Sequence, residues 1–257
     1  MGRPRMRIVP GLLFMAAACC FFSACKNHAA APVHEQAGRS KSADLEFLAA
    51  CARGDLDGVR QRLNEGASIL ARSDYRTGLF AAMDSGSLPL IKFLLKKENK
   101  LAVIPDQYGI KPLGYIVRGH GTFAARSGKA ERLVVLDLLL AAGADIEETD
   151  DYGYGLTPVF FASGRFAPDM VEALLARGAQ VNRKSLAAYA DSFCDMDFTL
   201  PSGSTALDKY QALLGVVPAL GDFESFKENI LGIIRVLKKH GARNGAWSAQ
   251  KQQRKTT

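Results

Sequence analysis

Residues 157–182, with the sequence TPVFFASGRFAPDMVEALLARGAQVN, predict two short helices joined by a turn. Thr157 is a residue type that caps helices, and Pro158 suits the first helical position, where its missing N–H leaves no hydrogen bond unmade. Pro168 marks a second helix start, after which apolar residues recur at i, i+3 and i+4. Gly178 stands where a helix needs a left-handed residue to end. Helices this short cannot bury their apolar faces alone, so the unit must pack against similar neighbours.

Four other segments of the chain repeat parts of this pattern. The openings that resemble Thr-Pro-Leu are Thr77-Gly78-Leu79, Lys111-Pro112-Leu113, Thr157-Pro158-Val159 and Thr205-Ala206-Leu207. The closing Gly-Ala pairs begin at Gly66, Gly143, Gly178 and Gly241, and Glu98-Asn99 replaces the pair in the second unit. We expect Asn99 to supply the left-handed cap there, because asparagine tolerates that conformation.

A period near 33 residues, with two helices and a linking turn, is typical of the ankyrin repeat, and residues 42–245 resemble five such repeats in tandem. The resemblance implies an all-α fold, an ankyrin-repeat solenoid of about five helix-turn-helix repeats with inserts. The first and last repeats are expected to act as caps with polar outer faces. The family's histidine after Thr-Pro-Leu is absent here, and we expect aromatic packing of Phe80 and Phe160 to replace it. Inserts are expected at 118–130, 183–201 and 212–228.

Residues 1–24 predict a lipoprotein signal peptide. Three arginines precede an apolar run, from residue 8 to residue 22, that is too short to span a bilayer. The sequence Phe22-Ser23-Ala24-Cys25 resembles the bacterial lipobox, which implies lipid attachment at Cys25 and a place in the bacterial envelope. Lys26 after the cysteine favours the outer membrane, facing the periplasm. An ordinary signal peptide or an uncleaved anchor is the alternative. Residues 25–41 are expected to form a flexible tether, and residues 246–257 a polar tail.

The charge balance does not favour nucleic-acid binding. The formal net charge is +7, and removal of the three signal-peptide arginines lowers it to +4. Much of the excess crowds the C-terminal end, where a solvated tail is the simpler interpretation. Among the remaining cysteines, Cys51 is expected in the core of the first repeat, and Cys194 lies far along the chain in an insert, so a disulfide between them is not expected.

The sequence contains no recognisable catalytic or cofactor motif. Phosphate-binding loops, zinc-protease motifs, nucleophile elbows and paired-cysteine motifs are all missing. We therefore predict no catalytic residue, no metal ligand and no cofactor. The alternative is an envelope enzyme or metal-binding protein with its site in the insert 183–201, where Asp191, Asp195 and Asp197 surround Cys194.

The ankyrin resemblance implies a non-enzymatic module that binds a partner protein through a concave groove. The loop positions that correspond to the groove are Asp74, Arg76, Gln107, Tyr108, Ile110, Tyr154 and Leu156, the helix-end positions are Asp84, Arg118 and Arg165, and Tyr75 and Tyr152 lie beside them. Exposed tyrosine and arginine often dominate binding energy at interfaces. The alternative is that the tyrosines pack on neighbouring loops and serve stability. We expect a monomer whose partner is another protein of unknown identity, which makes an immunity or inhibitor role one option, and the inserts are a second candidate binding surface.

Overall fold

The computed structural model of the chain describes residues 41–74, 76–119, 128–149, 154–162, 167–193, 196–217 and 224–247. These residues form five helical hairpins in succession: α1 (Lys41–Arg53) with α2 (Leu56–Asn64), α3 (Gly78–Ser85) with α4 (Leu88–Lys97), α5 (Pro112–Arg118) with α6 (Lys129–Ala141), α7 (Pro158–Phe161) with α8 (Ala167–Ala176), and α9 (Ala206–Val216) with α10 (Glu224–Lys239). The predicted signal peptide, Cys25 and most of the tether and tail lie outside the described residues.

The hairpins stack so that their first and second helices form separate layers. In the first layer α1 packs on α3, α5 on α7, and α7 on α9. In the second layer α4 packs on α6, α6 on α8, and α8 on α10. From the second hairpin onward, each first helix is shorter than its partner, as in α5 with 7 residues beside α6 with 13. This two-layer stack confirms the predicted all-α solenoid of five helix-turn-helix repeats.

One continuous apolar core runs between the layers through all five hairpins. Phe80 and Phe160 are fully buried in it, which agrees with their expected role in place of the family's histidine. Cys51 is buried in α1, and burial raises the pKa of its thiol to about 12, so the thiol stays protonated at neutral pH. Cys51 is therefore a core residue, as predicted.

The helix ends follow the predicted caps in four repeats and depart from them in one. Gly178 adopts φ +100°, and the N–H of Ala179 donates to the carbonyl of Leu174 at 3.1 Å, which closes the end of α8. The prediction that Asn99 takes a left-handed cap is wrong. α4 ends in extended backbone at Glu98, whose carboxylate accepts a hydrogen bond from the N–H of Lys100 and so caps a 3-10 helix that begins at Asn99.

The insert 183–201 contains a two-stranded antiparallel hairpin that the sequence did not predict. Strands β3 (Tyr189–Phe193) and β4 (Met196–Leu200) pair with Tyr189 opposite Leu200, and both of these side chains are buried. A shorter ribbon, β1 (Arg72–Ser73) and β2 (Arg76–Thr77), leads into α3. The base of the insert thus folds back onto the solenoid, and Cys194 and Asp195 lie outside the described residues. Within the described ranges, none of the helices has both the length and the apolar character needed to cross a bilayer.

Replacing Gly178 with alanine should destabilise the solenoid by about 1 kcal/mol, because a Cβ disfavours the left-handed conformation. No neighbouring atom lies within 4 Å of the added Cβ, so the loss would report backbone strain alone. The free energy of unfolding is measured by chemical denaturation, with circular dichroism as the probe. Gly215→Ala, in α9, is the matched control: it also has open space around its Cβ but lies in a helix, so it should stabilise the chain by up to about 1 kcal/mol. Equal effects at the two sites would contradict this account of Gly178.

Candidate protein-binding face

The loops that precede the first helices, together with the outward sides of those helices, form the surface that we call the groove face. Its first part is the β1–β2 ribbon, in which Arg72 pairs with Thr77 and Ser73 with Arg76. Asp74 at the turn is exposed and adopts φ 48°. The guanidinium of Arg72 donates to the carbonyl of Pro105, so the ribbon is tied to the loop of the next repeat.

Arg76, Asp84 and Tyr115 form one hydrogen-bonded cluster across the second and third repeats. The Nη2 atom of Arg76 lies 2.9 Å from Oδ2 of Asp84, and the hydroxyl of Tyr115 donates to Oδ1 of Asp84 at 2.5 Å. The Tyr115 ring also meets Phe80 edge-on, with ring centroids 5.4 Å apart. The Cζ atom of Arg76 lies 5.2 Å from both ring centroids, a distance at which a cation is attracted to a π face.

The cluster fixes its own protonation states. Burial alone would lower the pKa of Arg76, but the contacts with Tyr115 and Asp84 outweigh it and raise that pKa. Burial, aided by the bond to Asp84, raises the pKa of Tyr115, so the phenol stays neutral. The carboxylate therefore joins a cation and a neutral donor from two different repeats, and the three side chains hold one arrangement.

The loop before α5 is held by its own aspartate. The Oδ1 atom of Asp106 accepts hydrogen bonds from the N–H groups of Tyr108 (2.9 Å) and Ile110 (3.0 Å). Burial raises the pKa of Asp106, against the opposing effect of these amides and of the Arg76 and Arg118 charges. Within the loop Gln107 is exposed, while Tyr108 and Ile110 are half-buried, and Ile110 packs against the core. Ile110 thus contributes to the stability of the fold as well as to the groove face.

Arg118 ends α5 and stacks on the last residue of α7. Its Cζ atom lies 3.4 Å from the centroid of the Phe161 ring. α7 is only four residues long, and groups from the fifth repeat satisfy its carbonyls. The buried ammonium of Lys209 donates to the carbonyl of Phe160 at 2.7 Å, and the hydroxyl of Tyr210 donates to that of Ala162 at 2.8 Å. The fifth repeat therefore holds the aromatic ring on which Arg118 rests.

A small cleft separates the loop before α5 from α7. Its volume is about 20 Å³, and it is lined by Tyr108, Ile110, Lys111, Arg118 and Phe161 together with neighbouring residues. Pockets that enclose a small-molecule ligand are typically about 300–1,000 Å³. The cleft is therefore an indentation in a surface and is too small to be a metabolite site.

The loop before α7 is partly covered by the insert. Tyr154 is 37% exposed, and its ring centroid lies 6.1 Å from that of Tyr189. Its carbonyl accepts a hydrogen bond from the N–H of Leu186, whose side chain is 69% exposed. The prediction that Leu156 presents an apolar side chain to a partner is wrong. Leu156 is 3% exposed, and its side chain belongs to the continuous apolar core.

The structure thus brings together part of the predicted set. Arg76 and Asp84 are in contact, and Tyr108, Ile110 and Arg118 line one cleft, while Asp74, Gln107 and Tyr154 are exposed nearby. Three predicted groove residues, Tyr75, Tyr152 and Arg165, lie outside the described residues. So do the side chains of Asp191, Asp195 and Asp197, and no group of three possible metal ligands occurs among the residues described.

Sequence reasoning missed Tyr115 and Phe161, two of the three rings against which the groove arginines lie. The sequence pattern gave little indication that these two residues would contact arginines. Both are aromatic residues in short first helices, and nothing in the repeat pattern distinguishes them from core positions. The contacts that give them a role cross from one repeat to the next, which the sequence of a single repeat does not reveal.

Changing Tyr115 to phenylalanine should lower the free energy of unfolding by about 1–2 kcal/mol, because it removes a hydrogen bond to a partly exposed carboxylate. In an Asp84→Ala background the same change should have less than about 0.5 kcal/mol of effect, since its partner is gone. A double-mutant cycle by chemical unfolding checks this.

The raised pKa of Tyr115 adds a pH dependence. The stability advantage of the wild type over Tyr115→Phe is complete below about pH 10, the ordinary tyrosine pKa, and falls as the pH rises above it. If Tyr115→Phe lowered the free energy of unfolding equally in the wild-type and Asp84→Ala backgrounds, the proposed coupling between Tyr115 and Asp84 would be contradicted.

Comparison with known proteins adds one relative. The chain is 36% identical over 136 residues to the ankyrin repeat domain-containing protein SAT10 of Stachybotrys chartarum (strain CBS 109288 / IBT 7711). The match covers 52% of this chain but spans only about 6% of the length of that protein. No protein-family model matches the chain. The similarity and the two-layer fold together support ankyrin repeats in this chain.

Proposed function

We propose that this chain is a non-enzymatic, lipid-anchored protein of the bacterial envelope that binds one partner protein through the groove face. The observation that carries the binding proposal is the cluster of Arg76, Asp84 and Tyr115, which orders charged and aromatic groups before any partner arrives. Surfaces that are ordered beforehand bind more tightly because less side-chain freedom is lost on binding.

The composition of the groove face suits a protein partner. Arginine and tyrosine are enriched among the residues that dominate interface energies, and here they come from the loops and helix ends of successive repeats. The half-buried Tyr108 lines the same cleft as Arg118 and Phe161, and the exposed Gln107 and Tyr154 lie in the loops before α5 and α7. An immunity or inhibitor role is one form that such binding takes, and identification of the partner would decide it.

The binding proposal predicts that a partner is lost when the groove face is changed. The full-length chain serves as bait in an envelope extract, and the recovered proteins are identified by mass spectrometry. Tyr108→Ala combined with Tyr154→Ala should reduce recovery of a specific partner at least about ten-fold, the effect of removing roughly 1.4 kcal/mol of contact energy.

The control carries two changes on second helices, Gln61→Ala in α2 and Val134→Ala in α6. It should retain the partner, and circular dichroism should show that both variants are folded. Equal recovery by the groove variant and the wild type would contradict binding through this face.

The anchoring proposal depends on Cys25 and the apolar segment before it. The lipobox-like sequence supports export of the chain and lipid attachment at Cys25, with residues 25–41 as the link to the solenoid and the outer membrane, facing the periplasm, as the location. In a bacterial host fed radiolabelled palmitate, the wild-type chain should incorporate label, and Cys25→Ser should abolish it. Cys51→Ser is the control, because that thiol is buried in α1 and should not affect labelling. Undiminished labelling of Cys25→Ser would contradict lipidation at this residue.

A further inference from the structure

The second repeat carries a group of lysines that helix stability explains only in part. Lys92, Lys96 and Lys97 lie on α4, and Lys100 lies on the 3-10 helix that follows; we call these four residues the lysine patch. All four are exposed. Among the described residues, no carboxylate oxygen lies within 4.0 Å of any of the four ammonium groups.

In the first repeat, by contrast, the arginine side chains lie close to carboxylates. Arg60 lies 3.1 Å from Asp57, and Arg62 lies 2.6 Å from Glu65. Arg53 also has a carboxylate, that of Asp55, at 3.9 Å. Charges of the first repeat are therefore balanced within it. The segment from α4 to the 3-10 helix contains four lysines but only one acidic residue, Glu98, whose carboxylate accepts a backbone hydrogen bond from the N–H of Lys100.

Helix electrostatics account for only part of the lysine patch. Lys96 and Lys97 lie in the last turn of α4, where positive charge is favoured by the helix dipole. Lys92 lies one turn earlier and shares a helix face with Lys96, and like charges at that spacing repel. Lys100 lies beyond the end of α4. Helix electrostatics thus leave Lys92 and Lys100 unexplained, and an anionic surface outside the molecule would complement the patch.

We propose that the lysine patch rests on anionic lipid headgroups of the membrane to which the chain is anchored. The inference rests on the proposed anchoring, because the anchor determines which surface is near. Residues 25–41 are 17 in number and reach at most about 60 Å when fully extended. They end at Lys41, the start of α1, which packs on α3, the partner of α4 in the second hairpin. Packed helix axes lie about 8–10 Å apart, so the patch is within reach of the bilayer.

The chemistry of the patch fits a membrane surface. A lysine near an anionic bilayer strengthens binding by roughly five-fold, and the effects of neighbouring lysines accumulate. Val103, three residues after Lys100, is 40% exposed and supplies an apolar side chain beside the patch. A lysine patch held against the lipid would orient the solenoid while leaving the loops of the groove face open to a partner.

The test measures how fast each lysine reacts with a water-soluble acetylating reagent when the full-length chain is bound to vesicles. Vesicles of phosphatidylethanolamine and phosphatidylglycerol are compared with vesicles of phosphatidylcholine, and mass spectrometry assigns the sites. The lysine patch should react roughly five-fold more slowly on the anionic vesicles, and molar salt should remove the difference. Lys227 and Lys238 of α10, at the far end of the solenoid, are internal controls and should react equally on both.

A charge-reversed pair gives a second readout. Lys92→Glu with Lys96→Glu should abolish the protection of Lys97 and Lys100, whereas Lys227→Glu with Lys238→Glu should leave it intact. Equal rates on the two kinds of vesicle, or equal slowing of all lysines, would overturn the proposal. Protection that appears only when envelope proteins are added would also overturn it and would indicate an acidic protein at the patch. Mass spectrometry of the same sample reports whether Cys25 carries lipid, so failure of the proposed anchoring and failure of the lysine patch to meet the lipid are distinguishable.

Discussion

The structure depends on the fact that none of the five described hairpins can bury its own apolar surface. α7 has four residues and α5 has seven, lengths at which an isolated helix is not stable in water. Each hairpin therefore gains its stability from the hairpins on either side, and the core is continuous from the first repeat to the last. Stability in such a stack is approximately a sum of repeat and nearest-neighbour terms, so contacts between repeats also determine how surface groups are ordered.

The groove face shows how those inter-repeat contacts become a binding surface. Asp84 joins Arg76 of its own repeat to Tyr115 of the next, and the buried Lys209 of the fifth repeat supports the short helix whose Phe161 ring carries Arg118. The side chains offered to a partner are thus positioned by the same stacking that forms the core. In the opposite layer, ion pairs such as Arg177 with Asp137 and Lys239 with Glu172 also link successive repeats. The four lysines of the lysine patch on α4 and the 3-10 helix take part in none of the ion pairs found among the described residues.

Features set by local sequence were predictable, whereas those set by contacts between repeats were not. The 33-residue period predicted the solenoid, and Gly178 and Cys51 took the conformation and burial that their positions in the pattern require. Asn99 was wrongly given a left-handed cap, because the Glu98 side chain stabilises a competing 3-10 turn. Leu156 was wrongly placed among the partner-binding residues, because its side chain packs into the core shared by the repeats. In the candidate site, Arg76 and Asp84 were found from their repeat positions, but their shared partner Tyr115 required the three-dimensional structure.

The most direct test of the account is hydrogen–deuterium exchange on the full-length chain, alone and in complex with the partner recovered by the bait experiment. The account predicts slower exchange on binding in the backbone amides of residues 72–77 and 106–119, which contain the β1–β2 ribbon, the loop ordered by Asp106, and α5. The amides of α4 and α10 should exchange at unchanged rates. Protection confined to α4 and α10, with residues 72–77 and 106–119 unaffected, would contradict the central claim that the groove face is where this protein binds its partner.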